Sequence, residues 1–293
     1  MDNIDTRMRN IIDRWYEDNE GFCESKIELK NLLDKWLEKA EQDERETLLE
    51  LFAHSKFFSK RKVNNIFLDF YHQLEDEQYS IFTAVESQEV RQNSSYIYLN
   101  EFAIVSNVTE YSIIPTLRVF SQENMEYIRQ IIFIDDIIGT GETVVDFFET
   151  IKSIIAKKKI FLWVICITEF ARKKIEEYSQ DNKMEIEICA YRVERKAFEG
   201  GYIFDVQEAG ERERMIASLE TKLWKKPSKY ILGRDNAQCL LSFYNDTPNN
   251  TLSSFWFCNG EWTPVFQRKK KEKPEWLKDK KRKRIKENYE HSR

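Results

Sequence analysis

Ile131-Ile132-Phe133-Ile134-Asp135-Asp136-Ile137-Ile138-Gly139-Thr140-Gly141-Glu142-Thr143 is the stretch on which the reading of this chain turns. Four apolar residues lead into two adjacent carboxylates. Two more apolar residues follow, then a short Gly/Thr loop and an amphipathic segment from Val144 to Ile155. The pattern reads as a strand at 131–134, an acidic strand end, a phosphate-sized loop and a helix.

Each part has a chemical use. Gly139 and Gly141 relax the backbone so that N–H groups can converge on an anion. Thr140 and Thr143 add hydroxyl donors, and a helix beginning near Glu142 offers the positive end of its dipole. Ionised Asp135 and Asp136 only accept hydrogen bonds, which suits neighbouring hydroxyl groups. Adjacent residues of an extended strand point to opposite faces, so both reach one ligand only where the chain is already bending. A sugar phosphate satisfies both halves, and the site could hold Mg²⁺ brought in by the ligand's own phosphates. Asp-Asp alone is equally a helix cap or a surface turn; the full string is far more specific.

The surrounding chain reads as a frame for that string. Apolar stripes at helical spacing fill residues 1 to about 76, including Met8, Ile12 and Trp15, then Leu32, Leu33 and Trp36. From Ser80 the pattern changes to strands alternating with helices. Ser80–Glu86 reads as a short strand, 87–95 as a polar loop, and Tyr96–Val105 as a helix that Ser94 or Ser95 can cap. That strand, loop and helix start form either a second anion site or an ordinary turn. Ser112–Val119 is expected as a strand and Glu123–Ile128 as a short helix. Phe161–Ile167 is a continuous apolar run typical of a strand covered on both faces. A helix at 169–179 and a strand at Met184–Tyr191 follow. The expected fold is α/β with a mainly parallel central sheet. Beyond 192, a helix at Glu208–Trp224 and strands at Cys239–Tyr244, Ser253–Phe257 and Thr263–Phe266 surround the turn-rich Asn245–Thr251. The expected division is a helical subdomain at 1–78, an α/β domain at 79–267 with a hood at about 225–267, and a basic tail at 268–293.

The net charge of -5 conceals a segregation. Residues 268–293 hold 13 Lys/Arg and 5 Asp/Glu, or +8, leaving the other 267 residues at -13. Such a tail suits nucleic acid or an acidic partner surface, or simply keeps the chain soluble. With 41% hydrophobic and 14% aromatic residues, the chain has material for a core. No apolar run approaches the roughly 20 residues that span a bilayer, and the charged start does not read as a signal segment. The five cysteines have no metal-ligand spacing, and Cys166 and Cys189, inside apolar strand-like runs, read as reduced core residues, as in the cytoplasm. His54, His72 and His291 are too scattered for a metal site or a triad.

The 131–143 string resembles the phosphoribosyl-pyrophosphate (PRPP) motif of type I phosphoribosyltransferases. The resemblance implies that Asp135 and Asp136 meet the ribose 2- and 3-hydroxyls as the catalytic pair. It implies that Gly139, Thr140, Gly141, Glu142 and Thr143 bind the 5-phosphate, with Mg²⁺ carried by the substrate. The helical lead-in, this motif, and Tyr244-Asn245-Asp246-Thr247-Pro248-Asn249-Asn250-Thr251-Leu252 before Phe255-Trp256 are together similar to the PRTase-CE effectors of bacterial conflict systems, some of them retron-associated. That resemblance implies an anti-phage role, and a homo-oligomer or a partner from the same operon. Asn249 and Asn250, with Asn245, then become hood residues offering hydrogen bonds to a base or phosphate, or else simply hold their own turn. Two departures stand out. The loop at 87–95, where pyrophosphate would sit, contains Glu89 and no glycine, and Arg118 is the one basic residue between 106 and 120. They keep open a second reading, a non-catalytic nucleotide-sensing module that docks protein or nucleic acid.

Overall fold

Apolar runs rich in Ile, Val and Phe, separated by capped amphipathic segments, give the middle of the chain its alternating strands and helices. The computed structural model describes residues 4–86, 94–118, 125–269 and 275. The elements in order are α1 (Ile4–Asp18), α2 (Lys26–Leu37), α3 (Gln42–His54), β1 (Lys56–Phe58), α4 (Lys60–His72), β2 (Ser80–Ala84) and α5 (Ser94–Ser106). They continue with β3 (Gln130–Ile138), α6 (Glu142–Ile155), β4 (Lys159–Thr168), α7 (Glu169–Asn182), β5 (Glu185–Glu194), α8 (Val206–Trp224), β6 (Leu241–Phe243) and α9 (Ser253–Trp256). Side chains close several helix starts. Ser25 accepts from the Glu28 N–H, Ser59 from Lys62 and Thr168 from Ala171.

The central sheet has the order β2-β3-β4-β5, and every pairing is parallel. One face is covered by α4 and α5, whose Val63, Phe67, Tyr98 and Phe102 share a core with Phe82, Ile132, Ile134 and Trp163. The other is covered by α6 and α7, whose Phe147, Phe148, Ala171 and Ile175 pack with Ile131, Phe133, Leu162 and Val164. The connection leaving β2 therefore takes one face and the connection leaving β3 takes the other. The crevice between their C-terminal ends is a topological switch point, where open parallel sheets bind ligands.

A third core joins the two ends of the chain. Trp15, Leu33, Trp36 and Phe52 of α1–α3 pack with Ile216 and Leu219 of α8, Phe255 of α9, and Trp262 and Phe266. β1 also pairs in parallel with β6, Phe57 opposite Ser242. No helix among the described residues is long and apolar enough to cross a membrane.

Several expected elements differ. The strand expected at Ser112–Val119 contracts to a single bridge, Ile113 with Phe82, because Pro115 has no N–H to continue a ladder. Val119 lies outside the described residues, as do Glu123 and Asn124 of the expected short helix; the remainder closes one turn, Ile128 N–H on Met125 O. Ser253–Phe257, expected as a strand, winds into α9, since a short apolar run fits either structure and the Leu252 and Ser253 carbonyls take the Phe255 and Phe257 N–H groups. Thr263–Phe266 forms no strand; Pro264 interrupts it and only Phe266 N–H reaches across, to Phe255 O. β1 lies inside a stretch expected to be helical throughout, and β3 extends four residues past Ile134, so Asp135 and Asp136 are part of the strand.

Glu220 of α8 ties the hood to the third core. It is fully buried, and its two carboxylate oxygens accept the N–H groups of Leu232 at 2.5 Å and Ser254 at 2.7 Å. Replacing it with Ala leaves two buried donors unpaired. Glu220→Ala is expected to destabilise the protein by about 2–4 kcal/mol, read from urea unfolding, with Glu220→Gln also costly because its amide would turn a donor toward a donor.

Candidate functional site

Asp135 and Asp136 close β3 at the switch point, 9% and 7% exposed. The Asp136 N–H donates to the Asp135 carboxylate at 2.9 Å. The first turn of α5 then supplies two donors. Ser95 Oγ donates to Asp135 at 2.6 Å, and Ser94 Oγ donates to Asp136 at 2.8 Å. The sequence presented these serines as helix caps; they lie inside α5, and their hydroxyls serve the carboxylates instead.

Burial pushes the Asp135 carboxyl well above the usual carboxylate range, and the neighbouring Asp136 charge adds to it. Burial also raises Asp136, against the hydrogen bonds from Asp135 and Ser94. Tyr98, one turn after these serines, is fully buried and its phenol is also pushed up by burial, so it remains a donor; its Oη reaches Asn245 Oδ1 at 2.9 Å. The pair thus lies against a hydroxyl-rich wall of Ser94, Ser95 and Tyr98.

The loop behaves as a compact turn. Gly141 has φ +75°, a left-handed backbone that favours glycine, and a Cβ there would lie 3.2 Å from Ala171 O. Thr140 Oγ1 accepts from the Glu142 N–H at 3.4 Å. Thr168, at the end of β4, donates to Gly139 O at 2.6 Å and caps α7, so one hydroxyl fixes loop and helix together. Thr143 is exposed on the first turn of α6. The Glu142 carboxylate pairs with Lys174 of α7 at 3.4 Å, so it braces the loop against α7.

The hood meets the loop through Asn250. A Cβ on Gly139 would fall 2.0 Å from Asn250 Nδ2, and a Cβ on Gly233 2.1 Å from Asn250 O. Asn250 O accepts from Cys239 N–H and Asn249 O from Arg234 N–H, so the backbone here holds the hood while the Asn250 side chain covers the loop. Beside the site, Glu86 pairs with Arg118 at 2.8 Å and accepts from Thr116 at 2.6 Å. Residues 87–93 of the expected pyrophosphate loop lie outside the described residues. Two surface clefts of 390 and 340 Å³ contain none of these residues. Ser94, Ser95 and Asn250 pack directly against the acidic strand end and its loop.

Asp135, Asp136 and the 139–143 loop are thus adjacent along one strand end, and Asn250 joins them from the hood. Ser94 and Ser95, read as caps at a possible second anion site, instead bond the Asp pair, and Thr168, which the sequence did not single out, bonds the loop; small hydroxyl residues at a βα junction are the available signal. No group of three His, Cys, Asp or Glu residues able to hold a metal exists among the described residues, so a cation here would depend on ligand oxygens as well as the Asp pair.

A model of the PRTase-CE family matches residues 33–268. The chain belongs to the PRTase-CE family. The match takes in both the Asp-Asp loop and the hood, so this PRTase-CE chain is phosphoribosyltransferase-like. No curated protein matches the PRTase-CE chain. Among solved structures, the AQ2163 protein from Aquifex aeolicus is similar over 64% of this chain and 95% of its own, at 14% identity and a TM-score of 0.32. A likeness that slight says nothing of the site.

Two outcomes test the geometry of this PRTase-CE site. Gly139→Ala is expected to destabilise the protein by about 1–3 kcal/mol through overpacking against Asn250, and Asn250→Ala in the same chain to recover part of it, measured by urea unfolding. Asp135 has a folded pKa above its unfolded one, so the folded state holds more protons between the two. Stability contributed by the protonated carboxyl is therefore full below the unfolded pKa and lost as pH rises through the raised one. Asp135→Asn keeps the acceptor for Ser95 and Asp136 and carries no charge. Its thermal midpoint is expected to exceed the wild type's by roughly 2–4 °C at neutral pH, with the gap closing toward pH 4.

Proposed function

We propose that the protein binds PRPP, or a related ribose 5-phosphate nucleotide, and transfers the phosphoribosyl group to a nucleobase, nucleotide or protein acceptor as an effector of an anti-phage system, retron-linked or otherwise. The observation that carries this reading is the buried Asp135–Asp136 pair at the switch point, directly continuous with the Gly139–Thr143 turn. Ribose hydroxyls replace Ser94 and Ser95 on the carboxylates, and the 5-phosphate occupies the turn at the positive end of α6.

In the transfer, a lone pair of the acceptor forms a bond to the anomeric carbon. The bond from that carbon to the pyrophosphate oxygen breaks, and pyrophosphate leaves with its electron pair. The acceptor's proton passes to solvent. Cationic character grows on the ribose ring, and the fixed carboxylates stabilise it. Mg²⁺ carried by PRPP would supply charge neutralisation on the diphosphate, with the Asp135–Asp136 pair as the nearby carboxylates. Since ligand hydroxyls and a cation favour ionised Asp135, binding releases a proton and strengthens as pH rises through the raised pKa.

A non-catalytic nucleotide sensor is the second reading. It is favoured by the serine hydroxyls already held on both carboxylates and by Arg118 being neutralised by Glu86.

Calorimetry with PRPP and Mg²⁺ tests the first reading. Wild-type protein is expected to bind, and the Asp135→Asn/Asp136→Asn double variant to lose at least about tenfold in affinity, or 1.4 kcal/mol. Equal binding by both, or none by either, removes it. Pyrophosphate release on incubation with candidate acceptors separates transfer from sensing.

A further inference from the structure

Arg268 is a charge of the hood that the proposed reaction leaves unused. Its guanidinium lies 4.6 Å over the Trp256 ring, and Nη1 donates to Thr247 O at 2.7 Å. Trp256 is itself fixed, buried and donating from Nε1 to Thr251 O. The stack and that one hydrogen bond set the plane of the fork, whose other N–H groups reach no acceptor among the described residues. Nor does any carboxylate there make ion-pair contact with it. Asp246, whose charge it feels, gives Oδ1 to the N–H groups of Thr247 and Lys269. Burial lowers the Arg268 pKa, as expected of a guanidinium drawn from water without a bonded anion.

Two more donors converge on it. Tyr230 meets Trp256 edge to face at 5.8 Å, and its phenol is close enough to bear on the Arg268 charge. Lys229 Nζ lies 5.5 Å from the centre of the Tyr230 ring. Neither the Tyr230 hydroxyl nor the Lys229 ammonium has a hydrogen-bond or ion-pair partner among the described residues. A planar fork, a phenol and an ammonium without acceptors match a phosphate monoester, which brings about two negative charges and several strong acceptor oxygens. The group is rooted beside the carboxylates. Thr247, which takes the Arg268 hydrogen bond, is two residues from Asn245, whose Oδ1 accepts from Tyr98 on the wall of the Asp135–Asp136 site. Two residues of extended chain reach at most about 7 Å.

We propose that Arg268, Tyr230 and Lys229 form a phosphate-monoester subsite on the hood, and that the acceptor of the transfer is a mononucleotide held there by its own phosphate. A free nucleobase and an unphosphorylated protein bring no such group. The inference rests on the proposed function only for the ribose phosphate at Asp135–Asp136; the subsite itself stands on the geometry of the hood.

The test is calorimetry of the full chain with AMP, GMP, CMP and UMP against the matching nucleosides. It is run on the Asp135→Asn/Asp136→Asn variant, so that binding of ribose phosphate at the carboxylates does not contribute. At least one nucleotide is expected to bind at least about tenfold more tightly than its nucleoside, and to be displaced by inorganic phosphate. Arg268→Gln is expected to cost at least about tenfold in that affinity, and Arg268→Lys to recover only part of it, since an ammonium lacks the fork. If Arg268→Gln lowers the thermal midpoint, the Lys229→Gln/Tyr230→Phe double variant replaces it, with the same loss expected. With the carboxylates intact and PRPP and Mg²⁺ present, the same nucleotide is expected to drive pyrophosphate release, and Arg268→Gln to raise its KM at least about tenfold with kcat little changed. Equal affinity for nucleotide and nucleoside overturns the proposal, as does nucleotide binding that survives these substitutions. Tighter binding of a 5′-phosphorylated oligonucleotide or a phosphoserine peptide than of every mononucleotide also overturns it. PRPP binding without nucleotide binding removes the subsite alone, whereas nucleotide binding that depends on Arg268 without PRPP binding upholds the subsite and removes the transfer.

Discussion

Two carboxylates buried side by side are the constraint around which this molecule is built. Neither Asp135 nor Asp136 can be withdrawn from water without donors, and the donors arrive from a different element, the first turn of α5. That delivery requires β2 to lie next to β3 in register, with Ala84 opposite Ile134, so that the chain leaving β2 re-enters beside the acidic strand end. It also requires α5 and α6 to leave on opposite faces. Were both on one face, no crevice would separate them and the pair would be sealed under helix.

The hood adds a second constraint through a single small residue. Gly139 has an ordinary backbone conformation, and what demands glycine there is the Asn250 side chain lying against it. Loop and hood are thereby in direct contact. Asn250 also accepts the Cys239 N–H through its carbonyl, so the residue that covers the loop is tied to the chain leading into β6. Thr168 provides the corresponding link on the far side, from loop to α7.

The strongest periodicities were the most readable parts of the sequence. Phe161–Ile167 reads as a covered strand because nothing in it tolerates water, and the strand, loop and helix around Asp135 are fixed by residues whose chemistry is local. What escaped reading depends on contacts distant in sequence. β1 is three residues long and exists because β6, nearly two hundred residues later, pairs with it. The serines of α5 look like caps until β3 lies beside them. α9 has the apolar composition of a strand, and Leu252 and Ser253 carbonyls decide otherwise. Asn249 and Asn250 were legible as a pair, but not the division of labour between them, one held by its carbonyl and the other also covering a glycine.

The third core has a consequence for how the chain folds. Trp15, Trp36 and Phe52 of α1–α3 share it with α8, α9 and residues 262–266, partners far along the chain. Contacts so distant in sequence bear the entropy of closing a long loop before they are rewarded, so they form slowly. Until they close, the helical head and the hood each keep an apolar face uncovered, and the two are secured by the same step.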